Sequence, residues 1–386
     1  MPFVNTLRSS TTGSFGKKRS VPAGSPKGQL WAWGAGQSRL IETNSTDFSS
    51  PVQIGVNSNW TQIAAGRYHA VGLQSNGSAI TWGNTSNGAL GNEVDTGIGL
   101  PYPQLTIPNV SFVNAGSFNT RIIKTNGQLW SWGQNYLGGL GLGDAGNAFN
   151  RSSPVQVGAL TNWAKVSQLS SFGALAIKTD GTLWSWGQNN AGQLGLENTT
   201  NYSSPKQIGS DTDWATLHNY GRGGRMAAAI KTNGTLWTWG QNSYPNAGAL
   251  GHNNTTDYSS PKQIPGANWA KIAVFYRGGF TAVKTDGTLW TWGGNGNGRL
   301  GLGDTISRSS PVQIGALTNW ARPIGGYEHQ ACIKTDGTLW AWGRNNYGQL
   351  GQNDTVSRSS PIQVGALTSW ITGNVSNKDI LAVKSS

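Results

Sequence analysis

An all-β chain folded as a seven-bladed propeller of four-stranded blades is the architecture this sequence predicts, and three recurrent signals predict it. Trp-x-Trp-Gly occurs at Trp31, Trp130, Trp184, Trp237, Trp290 and Trp340, with a degenerate copy at Ile80-Thr81-Trp82-Gly83, at intervals of 49 to 54 residues. A Lys-Thr-Asp/Asn-Gly turn precedes five of these copies, starting at Lys124, Lys178, Lys231, Lys284 and Lys334, and Gln74-Ser75-Asn76-Gly77 is its first version. A proline ahead of a short apolar alternation falls at Pro51, Pro103, Pro154, Pro205, Pro261, Pro311 and Pro361. Self-similarity at a period of about 50 residues marks a repeat array, and four short strands per period mark propeller blades.

The strands follow from local pattern. After each proline comes an aromatic that opens a strand: Trp60, Phe112, Trp163, Trp214, Trp269, Trp320 and Trp370. Ala174–Thr179 is the next strand of its unit. Asp180-Gly181 follows as the two-residue signal of a type I′ hairpin, which needs positive φ at both positions. Leu183-Trp184-Ser185-Trp186 alternates large and small, so both indoles share one strand face. Pro154–Val157 supplies the remaining strand, with proline expected at its first residue, where no ladder bond is lost.

The two ends of the repeat region predict a closed ring. Ser386 aligns with Asp180 and Gly28 with Gly181, so Gly28–Gly34 should pair beside Ile380–Lys384 and complete the last blade. Closure removes the two free sheet edges that an open stack would leave. The expected organisation is therefore an N-terminal arm, residues 1–27, and a propeller, residues 28–386.

Composition excludes several classes. Aromatics at 10% exclude a disordered chain, and the single Cys332 excludes a disulfide framework or a cysteine-based zinc site. No apolar run is long enough for a membrane helix, and Met1–Lys27 lacks a signal-peptide core, so neither membrane insertion nor secretion is expected. Of the net charge of +12, the arm holds Arg8, Lys17, Lys18, Arg19 and Lys27 without one acid. A basic ring attracts phosphate-rich partners. Lysines that solvate strand ends explain the repeat charges more simply, and nucleic acid is not expected as a partner.

The stretch Gly-x-Leu-Trp-x-Trp-Gly-x-Asn-x-x-Gly-Gln-Leu-Gly, carried almost whole by Gly181–Gly195 and Gly337–Gly351, resembles the regulator of chromosome condensation repeats, which form seven-bladed propellers. The resemblance covers residues 28–386. It implies the fold and says little of function, because the family holds an exchange factor, a light sensor and many uncharacterised microbial proteins. The family's Gly-x-x-His survives as Gly66-Arg67-Tyr68-His69 and Gly326-Tyr327-Glu328-His329; elsewhere that histidine is Asn119, Gly173, Met226, Gly279 or Asp379. No inserted β-wedge of the exchange-factor type is present, and no Gly-Trp-Arg-His-Thr copy of the light-sensor type. Every tryptophan occupies a repeat position, which reads as core packing.

Catalytic patterns are absent. His69 and His329 belong to units separated by a third, Asp144, Asp304 and Asp354 share a loop position that reads as turn stabilisation, and Asp211-Thr212-Asp213 is a weak metal signal best read as a solvated loop. No nucleophile–base pair, phosphate loop or metal spacing stands out, so the expectation is no enzyme, no cofactor and no metal. One loop changes in every unit while the strands hardly do. Its residues are Arg67, Tyr68, Phe118, Phe172, Tyr220, Arg222, Arg225, Phe275, Tyr276, Arg277 and Tyr327. Aromatics and arginines dominate binding hot spots, so these are the candidate binding face, for a host-surface glycan or protein. In the arm, Phe3, Arg8, Phe15, Lys17, Lys18 and Arg19 are the candidate anchors to other structural proteins of a larger assembly. The resulting expectation is a non-catalytic structural or adhesion component of a virion, of bacteriophage type. The alternative is a cytoplasmic scaffold or regulator resembling the family's exchange factor.

Overall fold

The computed structural model describes residues 27–36, 40, 46–95, 99–169, 172–218, 224–243, 248–276, 278–376 and 378–385. Among these, twenty-eight strands form seven antiparallel blades of four. The inner strands, in chain order, are Trp60–Ala65, Val110–Ala115, Trp163–Leu169, Trp214–Leu217, Trp269–Phe275, Trp320–Gly325 and Trp370–Val375. Each touches the inner strand of the next blade, the last returning to the first. We number the blades 1 to 7 in that order. In blade 3 the strands then run outward as Gly173–Lys178, Leu183–Gly187 and Tyr202–Ile208.

The ring closes as the sequence predicts. Gly28–Gly34 pairs with Asp379–Ser385 in unbroken register, from Gly28 opposite Ser385 to Gly34 opposite Asp379. Phe48–Ile54 then completes blade 7 on the outer side.

Three local expectations are corrected. In blade 2 it is Val110, opposite Lys124, that holds the register position of Trp163 opposite Lys178. Phe112 stands two residues further on and faces the central channel. The outer strands begin before their prolines, as Phe48–Ile54 and Arg151–Gln156 show. Each proline lies mid-strand on the blade's outer edge, where the register slips against the Trp-Gly strand. A bulged edge needs no N–H there. The hairpin is also not type I′. Gly181 alone has positive φ, +80°, and its N–H donates to the Lys178 carbonyl 3.1 Å away. Asp180 keeps an ordinary φ because its carboxylate accepts from the Thr182 backbone N–H at 2.9 Å and hydroxyl at 2.6 Å. The loop is a type I turn followed by a left-handed glycine.

Blades 3 to 7 each pack around three indoles, and Ile80 in blade 1 and Val110 in blade 2 replace one of them. Trp163 lies 6.0 Å from both Trp184 and Trp186, and the lysine before the turn crowns the group, with Lys178 Nζ 3.4 Å from the Trp184 ring centroid. Lys124, Lys231, Lys284 and Lys334 sit over tryptophans in the same way. Cation–π contact therefore accounts for the repeated lysine. The second tryptophan of the motif also ties adjacent blades. Trp33, Trp132, Trp186, Trp239 and Trp342 each donate Nε1–H to a carbonyl of the preceding blade's loop, at 3.0 to 3.2 Å. The Leu-Gly pair of that loop is glycine for the same reason. At Gly141, φ is +79° and a Cβ would lie 2.7 Å from Trp186 Nε1.

Candidate functional site: the loop face

The inner strand of each blade runs toward the variable loop, and the third strand returns to the same end, as His69 opposite Gly83 and Asn119 opposite Gly133 require. Two loops per blade therefore share one face: the variable loop, and the Asn-x-x-Gly segment that follows Trp-x-Trp-Gly. The Lys-Thr-Asp/Asn-Gly turns occupy the opposite end.

The structure brings several of the expected residues together across blade boundaries. Arg67 of blade 1 places its guanidinium carbon 4.9 Å from the Tyr68 ring and 5.5 Å from the ring of Phe118 in blade 2. Tyr276 of blade 5 and Tyr327 of blade 6 stack at 4.5 Å with 15° between planes. Phe172 of blade 3 meets Tyr136 edge-on at 5.1 Å. Arg225 is exposed. Tyr220, Arg222 and Arg277 lie outside the described residues, as do the arm residues Phe3, Arg8, Phe15, Lys17, Lys18 and Arg19.

Phe275 is a correction. It is fully buried, at 0% exposure. The following strand begins with Gly279 where blades 1 and 6 have a histidine. A Cβ at Gly279 would fall 2.2 Å from Phe275 Cζ, so the phenyl ring fills the space that glycine vacates. Phe275 belongs to the packing, not to the face.

Other face residues escaped the sequence reading. Glu328, 5% exposed, is held by Arg344 through a charge-assisted hydrogen bond and lies 3.6 Å from Arg299. Beside them Tyr347 carries Lys378 Nζ 4.0 Å over its ring. Tyr327, Glu328, Arg344, Tyr347 and Lys378 line a cavity of about 210 Å³. Tyr136, Arg299, Arg344 and Tyr347 occupy changing positions next to an Asn and a Gly that recur in blades 2 to 6. That variability within a rigid frame was the available signal.

The groups weighed for chemistry are structural. His69 is buried with Nε2 3.0 Å from Thr120 Oγ1, and its ring nitrogens face neither His329 nor a carboxylate. His218 is lodged between the Ala228 and Gln168 carbonyls, at 3.0 and 2.8 Å. Burial pushes the Cys332 thiol up to about 12, which leaves it unreactive at neutral pH. Asp144, Asp304 and Asp354 accept from buried Asn135, Asn295 and Asn345 and pair with Arg151, Arg308 and Arg358, which is the turn-stabilising role expected. Lys231 bridges Asp211 and Asp213 at 2.8 and 3.0 Å. Among the described residues no group of three His, Cys, Asp or Glu side chains could hold a metal, and no helix is long and apolar enough to cross a membrane.

The regulator of chromosome condensation (RCC1) repeat matches residues 27–73, 126–171, 180–216, 233–274, 286–333 and 336–376, and a second form of the repeat matches 60–89 and 164–193. The chain belongs to the RCC1-repeat family. The human E3 ubiquitin-protein ligase HERC2 is 26% identical over 314 residues, 78% of this chain and 6% of HERC2. The ultraviolet-B receptor UVR8 of Arabidopsis thaliana is 29% identical over 301 residues, 75% of this chain and 66% of UVR8. The chain thus spans under two thirds of either relative's length. In fold it is similar to human WBSCR16, at TM-score 0.81 and 18% identity over 93% of this chain and 100% of that one. It is also similar to Prp20p of Saccharomyces cerevisiae, at 0.79 and 17% over 96% and 94%.

Proposed function

We propose that this RCC1-repeat propeller is a non-catalytic protein-recognition module whose loop face is the recognition surface. One observation carries the reading: aromatic and cationic side chains from adjacent blades converge on that face, above strands that scarcely vary from blade to blade. Stacked, half-buried rings and planar guanidinium groups bind at low entropy cost. Relatives in fold support a partner that is protein. Prp20p has binding properties toward Gsp1p and histones, and yeast RCC1 (Prp20) forms a complex with Kap60.

The test is a photo-crosslinking residue placed at Tyr327 on the loop face or at Thr335 in a hairpin turn of the opposite face. Partner crosslinks are expected from Tyr327 alone. With the partner purified, Arg225→Ala and Tyr276→Ala should each weaken binding by about 1–2 kcal/mol without unfolding. Crosslinks confined to Thr335, or unchanged affinity with the fold intact, would return the loops to drift.

The place of action rests on the arm. Its five cations and few apolar side chains, among them Phe3 and Phe15, fit an anchor in a larger assembly such as a virion, with the propeller displayed for adhesion. Removing residues 1–26 should then leave a folded propeller that no longer joins its particle, read by mass spectrometry of purified particles. Normal incorporation of the truncated chain would assign attachment to the propeller. HERC2 and UVR8 favour a second reading, a regulator or scaffold inside a cell.

A further inference from the structure

The inner strands present their third residue to the axis of the ring. In blades 1 to 6 these residues are Gln62, Phe112, Lys165, Thr216, Lys271 and Arg322, and they line a central cavity of about 250 Å³ to which all seven blades contribute. Three of the six are cations. No aspartate or glutamate is among the described residues lining the cavity, and none of the three cations forms an ion pair with a described residue. Their position differs from that of the repeat lysines, which are spent on tryptophans. Lys165 also donates to the Ala215 carbonyl of the next blade.

We propose that the central channel is a binding site for a small multivalent oxyanion of the phosphate class, held by Lys165, Lys271 and Arg322. The charge balance argues for it. Three like charges line one confined cavity with low-dielectric walls, and a cleft lined by one sign of charge concentrates counter-ions. A guanidinium and two ammonium groups are the donors that match phosphate oxygens, the first as a planar fork and the others as point charges. The neighbouring wall supplies neutral polar groups, Ser167, His218 and Asn374, and no competing anion. The side chains are solvent-exposed yet lie within the enclosing ring of inner strands, so they are accessible to a ligand of this size. That enclosure lowers the proton affinity of Lys165 and Arg322, with the charge of Lys271 adding to the effect at Lys165, and a bound anion would relieve both.

The experiment is isothermal titration of the full chain with pyrophosphate, with sodium chloride at equal ionic strength as the control. Saturable binding of one pyrophosphate per chain is expected, and Lys271→Gln and Arg322→Gln should each weaken it about tenfold, the loss of one charge-assisted contact. Arg322→Lys, which keeps the charge, should retain most of the affinity. In low-salt buffer without phosphate, Lys271→Gln should melt at the same temperature as the parent or higher, because it removes repulsion, so a weakened variant is not an unfolded one. Absence of saturable binding, or binding unchanged in the Lys271→Gln/Arg322→Gln chain, would overturn the site. The latter result would place the anion elsewhere, the arm lysines included.

Discussion

Deleting residues 1–34 is expected to abolish cooperative folding, not merely to lower the melting temperature. The segment Gly28–Gly34 is the third strand of blade 7, flanked on both sides by its partners, and it carries Trp31 and Trp33. Trp33 is fully buried, packs 5.9 Å from Trp370 and donates to the Gln349 carbonyl of blade 6. Truncating one buried tryptophan costs about 3–5 kcal/mol. That loss, together with half-buried Trp31 and a whole ladder, approaches the total stability of about 5–15 kcal/mol typical of a domain. The deletion would also expose Asp379–Ser385 and Phe48–Ile54 as unpaired edges, which invites association. Circular dichroism melts and size-exclusion chromatography measure this directly. A truncated chain that stays monomeric and melts within a few degrees of the parent would disprove closure by this strand.

Acid is expected to destabilise the propeller well before its carboxylates titrate. Burial lowers His69 from 6.5 to about 4 and His329 from 6.5 to about 3. His218 and His252 are lowered too, chiefly by burial. Below 6.5 the unfolded chain takes up protons that the folded histidines refuse, so stability rises with pH across this window. The contribution is fully present above pH 6.5 and is lost as the pH falls toward about 4, at roughly 1.4 kcal/mol per pH unit for each histidine. Blade 2 supplies the control residue, since Asn119 stands buried at the same repeat position. His69→Asn/His329→Asn should fold and should lose about half of the slope between pH 6.5 and 4.5 in urea unfolding. An identical slope in parent and variant would mean that these two histidines are not the acid-sensitive groups.

Much of this protein was legible as one-dimensional pattern. Blade number, strand order within a blade and the closing role of Gly28–Gly34 follow from where Trp-x-Trp-Gly and the turn glycines recur. A repeat's contacts lie mostly within itself and its neighbours, so period alone constrains the three-dimensional arrangement. The structural role of the tryptophans and of Asp144, Asp304 and Asp354 was equally readable, since each stands at a repeat position with a local partner.

What only the tertiary structure decided depends on register and on juxtaposition between blades. A two-residue offset separates Val110 from Phe112, and it decides which side chain packs in the blade and which faces the channel. Phe275 is apolar and sits in a variable loop's frame, yet it turns inward because Gly279, in the adjoining strand, leaves it room. Arg67 meets Phe118, and Tyr276 meets Tyr327, only because neighbouring blades set separate loops side by side. Lys165, Lys271 and Arg322 read as scattered charges along the chain. The ring places the same strand position of every blade at one level of its axis, and that symmetry gathers three distant cations into a single site.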